Sequence, residues 1–323
     1  MAIKRRLMRK KSAGAVTAAE KSFDPGFTRL YDGRISRVIN KDGVFNVRRI
    51  GTRLADLHLY QYLVTISWLP FSALIVSGYL VMNAAFAGLY LAAGVENLAG
   101  ANAESPFGAF LSAFFFSTHT FTTVGYGTMY PTNFWTNIIA SMEAMAGLMS
   151  FSIATGLLYG RFSRASAKLV FSETMTMLPH KGGTALMFRV ANRRRSTLME
   201  AEAKLLLMTV VDSAKGQTRK YDVLDLEVPA VHFLPLTWTV VHRIDDSSPL
   251  HGKTAEDLAR LQAEVLVLIK GFDDRFQQIV HARYSYRHDE ILRGRRFVPA
   301  FHVGEEGEMV LDLEKINETT EER

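Results

Sequence analysis

FFFSTHTFTTVGYGTMYP, residues 114–131, sets two glycines around a lone tyrosine between two long apolar runs. Gly-Tyr-Gly makes a poor helix and a poor strand, yet both flanking runs have the length and apolarity of membrane crossings. No Asp, Glu, Lys or Arg occurs from Leu57 to Val95, or between Glu104 and Glu143. Beyond Arg161 charges become frequent and mixed. The 48% hydrophobic content of the 323 residues hides this division, whose simplest reading is a membrane-embedded front and a water-exposed rear.

The net charge of +6 is also unevenly distributed. Lys4-Arg5-Arg6, Arg9-Lys10-Lys11, Arg48-Arg49 and Arg53 precede the first apolar run, and Arg161, Arg164 and Lys168 follow the last. The stretch between the runs carries Glu96 and Glu104. The positive-inside rule then puts both termini in the cytoplasm and makes the number of crossings even. The clusters abut apolar spans and lack interleaved aromatics, which argues against nucleic acid as a partner. Cysteine is absent, excluding disulfides, thiolate nucleophiles and cysteine-based zinc sites. The first 53 residues are basic and polar, unlike a cleavable signal peptide.

Along the chain, residues 1–34 read as a disordered basic N-terminus. Residues 35–61 read as a cytoplasmic segment ending in an amphipathic interfacial helix, with Leu54, Leu57 and Tyr60 on one stripe. A pore domain is expected over 62–165, with an outer helix at 62–91 and an inner helix at 133–161. Between them, Ser105-Pro106 suits the start of a helix over 106–121, too short to span and therefore re-entrant. From 166 to 323 the pattern turns to period two. Leu186, Phe188 and Val190 alternate, and Met199, Ala201, Ala203 and Leu205 oppose Glu200, Glu202 and Lys204. Short strands at this spacing predict a β-sandwich.

Irregular backbone at membrane depth is tolerated only where it is buried or lines water. Gly125 and Gly127 reach positive φ cheaply, so residues 123–127 can alternate in conformation and point successive carbonyls one way. Carbonyls aimed at one axis replace the hydration shell of a monovalent cation. One chain cannot surround an ion, but four about an axis can. The Thr123 hydroxyl adds a ring of oxygens, Val124 and Tyr126 brace the strand, and the short helix aims its partially negative end at the cation. A dehydrated monovalent cation at these carbonyls is the expected ion, and no cofactor is expected. Glu143, the lone carboxylate in either long span, is a candidate support behind the filter.

This order of span, short helix, TVGYG and span resembles the potassium-channel pore. The segments RVINKDGVFNV (37–47), DLHLYQYL (56–63), TWTVVHRIDDSSPL (237–250) and HARYSY (281–286) are similar to the inward-rectifier family in its prokaryotic, KirBac-type branch. The resemblance covers roughly residues 35–313. It implies a homotetramer in a bacterial inner membrane with an immunoglobulin-like β cytoplasmic domain that prolongs the pore. It assigns Thr123, Val124, Gly125, Tyr126 and Gly127 to the selectivity filter and Gly156 to an inner-helix bend. Tyr159 matches a bulky constriction, or else serves as an interfacial belt residue. Arg161, Arg164 and Lys168, with Arg49 and Arg53, match a basic stretch that meets anionic phospholipid headgroups, or are ordinary positive-inside flanks. Phe151 stands where strong rectifiers carry an acid, so weak rectification is expected. His119 replaces a frequent glutamate behind the filter, Thr128 a frequent aspartate, and Ala165 a common proline.

The expected function is a potassium-selective channel of inward-rectifier type, gated at the inner-helix bundle and cytoplasmic domain and modulated by anionic lipid. A poorly selective cation channel is the alternative. A membrane-anchored enzyme finds no support, because the sequence has no Gly-rich phosphate loop, no Cys-His pair and no HExxH spacing.

Overall fold

The computed structural model describes residues 26–30, 33, 36–51, 58–194, 196–213 and 216–322. Arg53, residues 1–25 and the first part of the expected interfacial helix, residues 52–57, lie outside them. The chain forms two compact units. One is Arg49–Arg164; the other joins the stretch up to Arg48 with Ala165–Arg323. The expected 35–61 segment is therefore divided, with its first part belonging to the β-rich unit.

In the first unit, helices α1 (Leu59–Thr65) and α2 (Trp68–Ala92) replace the single outer helix expected over 62–91. Pro70 explains the break. In a continuous helix its ring would clash with the carbonyl of Ile66, four residues back, and its missing N–H would leave that carbonyl unpaired. The chain instead turns extended at Ile66 (ψ 157°) and restarts with Ser67 as N-cap. At 25 residues, α2 is about 37 Å long, enough for a bilayer's hydrocarbon. Helix α3 (Pro106–Phe121) has 16 residues, too few to cross. Ser105 caps it, its Oγ accepting from Gly108 N at 3.0 Å, with Pro106 in the first turn. Helix α4 (Phe134–Phe162) is capped by Asn133, whose Oδ1 accepts from Thr136 N at 2.8 Å. Two short strands, β1 (Leu98–Ala99) and β2 (Tyr130–Pro131), pair antiparallel and tie the end of α2 to the chain that follows residues 123–127. Ala87, Tyr90, Ala113 and Phe116 form the core between α2 and α3.

The second unit is a sandwich of two five-stranded sheets. One runs β11 (Gln278–Arg287), β10 (Glu264–Asp273), β6 (Leu198–Ser213), β7 (Gly216–Leu224), with β8 (Ala230–Leu234) also on β6. The other runs β12 (Ile291–Arg293), β4 (Met175–His180), β5 (Gly183–Asn192), β3 (Leu169–Phe171), with β9 (Thr237–Ile244) on β5. Pairing is antiparallel except β12 on β4. Leu186, Phe188 and Val190 of β5 face Ala203, Leu205 and Val267 in one core.

The alternation expected for β6 holds from Ala201 onward and fails before it. Glu200 sits at φ 47° and inserts an extra residue opposite β10, so Lys270 pairs with Glu202 but Phe272 with Met199. That bulge turns Leu198 inward in place of Met199.

Residues 37–46 dock on the β10–β11 sheet as a small hairpin closed by Ile39 against Phe45. Both Glu264 carboxylate oxygens accept from Val38 N at 2.9 Å. Arg37 donates to the Ser285 carbonyl at 2.8 Å and to Glu290 at 2.7 Å, and Lys41 reaches Glu290 at 2.9 Å. Burial pushes the Glu264 carboxyl up. Burial also raises Glu290, but the Arg37 and Lys41 cations and the Arg287 N–H outweigh it and hold that carboxyl below its usual value.

His242, on β9, is buried and bonded at both nitrogens. Nδ1–H donates to the Asp225 carbonyl at 2.6 Å, and Nε2 accepts from Ser248 Oγ at 2.8 Å. Burial pushes its pKa down. Its stabilisation is therefore complete above the unfolded value of about 6.5 and is lost as pH falls through the lowered folded value. We expect the unfolding temperature of the solubilised protein to drop as pH falls below about 6.5. His242→Phe should be less stable at neutral pH and show a shallower acid slope. An unchanged slope would assign the acid sensitivity elsewhere.

Candidate functional site

Helix α3 ends at Phe121, and the five residues after Thr122 keep neither helical nor strand geometry. Thr123, Gly125 and Gly127 have φ of 59°, 54° and 79°, whereas Val124 and Tyr126 do not leave the negative-φ region. Left-handed backbone at every second residue turns successive peptide planes so that their carbonyls share one direction. The segment is anchored at its start. Thr123 N donates to the Thr120 carbonyl at 3.0 Å, and Val124 N and Gly125 N both donate to the His119 carbonyl, at 2.9 and 3.3 Å. Nothing lies within 4 Å of a Cβ built on Gly125 or Gly127, so their conformation, not crowding, calls for glycine.

The braces differ in part from those expected. Tyr126 meets His119 edge to face, ring centroids 4.8 Å apart, and is otherwise exposed. Val124 is half exposed. Thr128 presents its carbonyl to Gly100, where a Cβ would collide with it.

Glu143 is fully buried among side chains of three helices. Tyr90 of α2 donates to its Oε2 at 2.6 Å, and Ser117 of α3 is bonded to its Oε1. Ser117 Oγ also lies 3.0 Å from Asn83 Oδ1, and Asn83 Nδ2 donates to the Tyr79 carbonyl at 2.7 Å. Sequence reasoning singled out Glu143 but none of these partners, which lie 26 to 64 positions away with no spacing to mark them.

Along α4, Phe151 and Tyr159 are exposed, and nothing lies within 4 Å of a Cβ built on Gly156. Eight residues separate the two aromatic rings, a rise of about 12 Å. Gly147 is the opposite case: a Cβ there would run into the Phe121 backbone. Below Thr123, Leu74, Tyr79, Leu148 and Phe151 line an apolar cleft of about 700 Å³.

Arg161 folds back onto α1. Nη1 donates to the Leu63 carbonyl at 2.6 Å and Nη2 to the Ile66 carbonyl at 2.7 Å. These acceptors sit at the C-terminal end of α1, and Ile66 is the carbonyl that Pro70 leaves unpaired. The guanidinium lies over Trp68 and Phe71, at 4.6 and 4.3 Å. Beside it, a Cβ on Gly160 would come 2.6 Å from Tyr60 Oη, so the absent side chain leaves room for α1 against α4. Arg161 thus caps α1 through both of its terminal nitrogens. Arg49, Arg164 and Lys168 are exposed.

Arg161→Ala is expected to leave both carbonyls without a donor and lower stability by about 2 kcal/mol. Arg161→Lys should recover less than half, since one ammonium cannot fork across two carbonyls. Unfolding temperatures and amide exchange of residues 59–66 measure both. Wild-type exchange in Arg161→Ala would refute the capping role.

Residues 169–322 match the inward rectifier potassium channel C-terminal domain, and residues 78–164 match the ion channel family. Over 291 residues the chain is 39% identical to the inward rectifier potassium channel Kirbac3.1 of Paramagnetospirillum magnetotacticum, covering 88% of this chain and 96% of that one. It is 30% identical over 291 residues to ATP-sensitive inward rectifier potassium channel 14 of Homo sapiens, covering 82% and 66%. To ATP-sensitive inward rectifier potassium channel 12 of Bos taurus it is 27% identical over 310 residues, covering 88% and 72%.

Proposed function

The chain belongs to the inward rectifier potassium channel family, and on that premise we propose that four copies surround one axis along which K⁺ passes dehydrated. The carbonyls of Thr123, Val124, Gly125, Tyr126 and Gly127 replace its water. The observation that carries this reading is the left-handed backbone at Thr123, Gly125 and Gly127, alternating with ordinary backbone between them. One chain supplies one wall of oxygens, and the exposed Val124 and Tyr126 leave surface for a neighbouring copy to cover.

Farther along α4, the four Tyr159 rings form the inner constriction, closing by dewetting, and Gly156 is the point of bending. Open space around Gly156 supports that role. Phe151 offers no carboxylate to a cationic blocker, which makes the channel a weak rectifier. Arg49, Arg164 and Lys168, with Arg53 from the sequence, are the residues for anionic phospholipid. The basic flanks of both spans support an inner-membrane protein with cytoplasmic termini.

The test is Rb⁺ or K⁺ flux into liposomes holding the purified protein, with Ba²⁺ as blocker, anionic lipid varied, and bi-ionic reversal potentials against Na⁺. Ba²⁺-sensitive flux with strong preference for K⁺ is expected. A Ba²⁺-insensitive leak without preference would overturn the reading in favour of a poorly selective channel.

A further inference from the structure

We infer that Glu143 stands in the pore unit as the uncharged carboxylic acid, and that the hydrogen-bond chain it completes positions α3 behind the filter. The inference rests on the filter reading and adds a proton and a role to it.

The chain fixes its own proton count. The Tyr79 carbonyl can only accept, so Asn83 Nδ2 donates to it and Asn83 Oδ1 faces Ser117. Ser117 Oγ therefore has an acceptor on one side, at 3.0 Å, and Glu143 Oε1 on the other. A serine hydroxyl carries one proton. Were Glu143 ionised, two acceptors would compete for it, and one buried oxygen pair would sit at hydrogen-bond distance with no hydrogen between. A proton on Oε1 removes the conflict. The acid then donates to Ser117, Ser117 donates to Asn83, and Asn83 donates to Tyr79, while Tyr90 donates to Oε2. Every contact then holds one hydrogen. A proton on Oε2 instead would leave the Ser117 shortage in place.

The surroundings agree. Asn83, Tyr90, Ser117 and Glu143 are all 0% exposed, so water does not supply the missing hydrogen. The partners of the carboxyl are a phenol and an alcohol. No cation takes part, and an unpaired buried carboxylate would be expensive. The titratable group facing Glu143 is the Tyr90 phenol of α2; α3 brings Ser117. The chain runs through α2, α3 and α4, and Ser117 lies six positions before Thr123, in the last turns of the helix that sets the filter's start. Glu143 on this reading is a positioning residue, acting through Ser117 and not on the ion.

Infrared difference spectra of the full-length protein in liposomes, wild type against Glu143→Gln, read the proton directly. A protonated-carboxyl stretch is expected in wild type at about pH 6, where an ordinary glutamate is ionised, and absent from the variant; carboxylate bands alone would overturn the neutral acid. Flux reads the role. Glu143→Ala and Ser117→Ala should each reduce K⁺/Na⁺ discrimination about tenfold, or ~1.4 kcal/mol, with assembly intact. Glu143→Gln should restore it to within about twofold, because the amide N–H replaces the acid O–H. Unchanged discrimination in both alanine variants, or a Gln variant no better than Ala, would overturn the positioning role. Should the alanine variants fail to assemble, Tyr90→Phe removes one donor only, and wild-type discrimination there counts against the chain. Failure of the filter reading would appear separately, as lack of K⁺ preference in wild type with the carboxyl stretch still present.

Discussion

Gly147→Ala is expected to abolish K⁺ flux and to leave little correctly assembled protein. A Cβ at that position would come 2.9 Å from the Phe121 carbonyl carbon, 3.1 Å from its Cα, and nearer still to its oxygen. All three are backbone atoms of the last residue of α3, so no rotamer change relieves the contact. Either α4 or the end of α3 must shift, and Phe121 is two residues from Thr123, where the proposed filter begins. Overpacking of this kind costs about 1–3 kcal/mol per site, and in the proposed homotetramer it would occur four times. Gly156→Ala is the control, since its added methyl meets nothing within 4 Å and should assemble normally. Size-exclusion profiles and liposome flux decide the matter. Wild-type flux from Gly147→Ala would mean that α3 and α4 are not held this close in the working channel.

Gly125→Ala should fail in a different way, keeping its assembly and losing its selectivity. No atom lies within 4 Å of the added methyl, so the whole penalty is the left-handed φ of 54°, roughly 1–2 kcal/mol per chain. Thr123 already sits at φ 59° with its side chain in place. A second strained residue two positions on is relieved most easily by turning the 124–125 peptide, which takes one ring of carbonyls off the axis. Intact oligomers with collapsed K⁺/Na⁺ discrimination are the expected pair of results. Full discrimination in this variant would contradict the carbonyl filter.

Local rules made much of this readable from sequence. Ser105-Pro106 marks the start of α3 because capping and proline geometry act within four residues, and the two glycines announce the alternating backbone. Pro70 also carried the break at Ile66, but the unbroken apolar run from Tyr62 conceals a five-residue event inside a thirty-residue pattern. The Glu200 bulge could not be read, since a residue at φ 47° in a strand follows from its partners across the sheet. Arg161 looked like a flanking charge because its acceptors are backbone carbonyls, which have no sequence signature. Glu143 was conspicuous as a charge type in an apolar span, yet its meaning depends on Tyr90, 53 residues earlier.

The hairpin at residues 37–46 has a consequence for biosynthesis. Glu264, which receives Val38 N, is made 226 residues later. Between the two, the ribosome delivers all of Arg49–Arg164, with both apolar helices. The hairpin therefore waits undocked while the membrane unit inserts, and its seating on β10 and β11 belongs among the late, long-loop events of folding. A chain interrupted anywhere before β10 cannot make that contact, so a seated hairpin certifies that synthesis passed the sandwich's central strands.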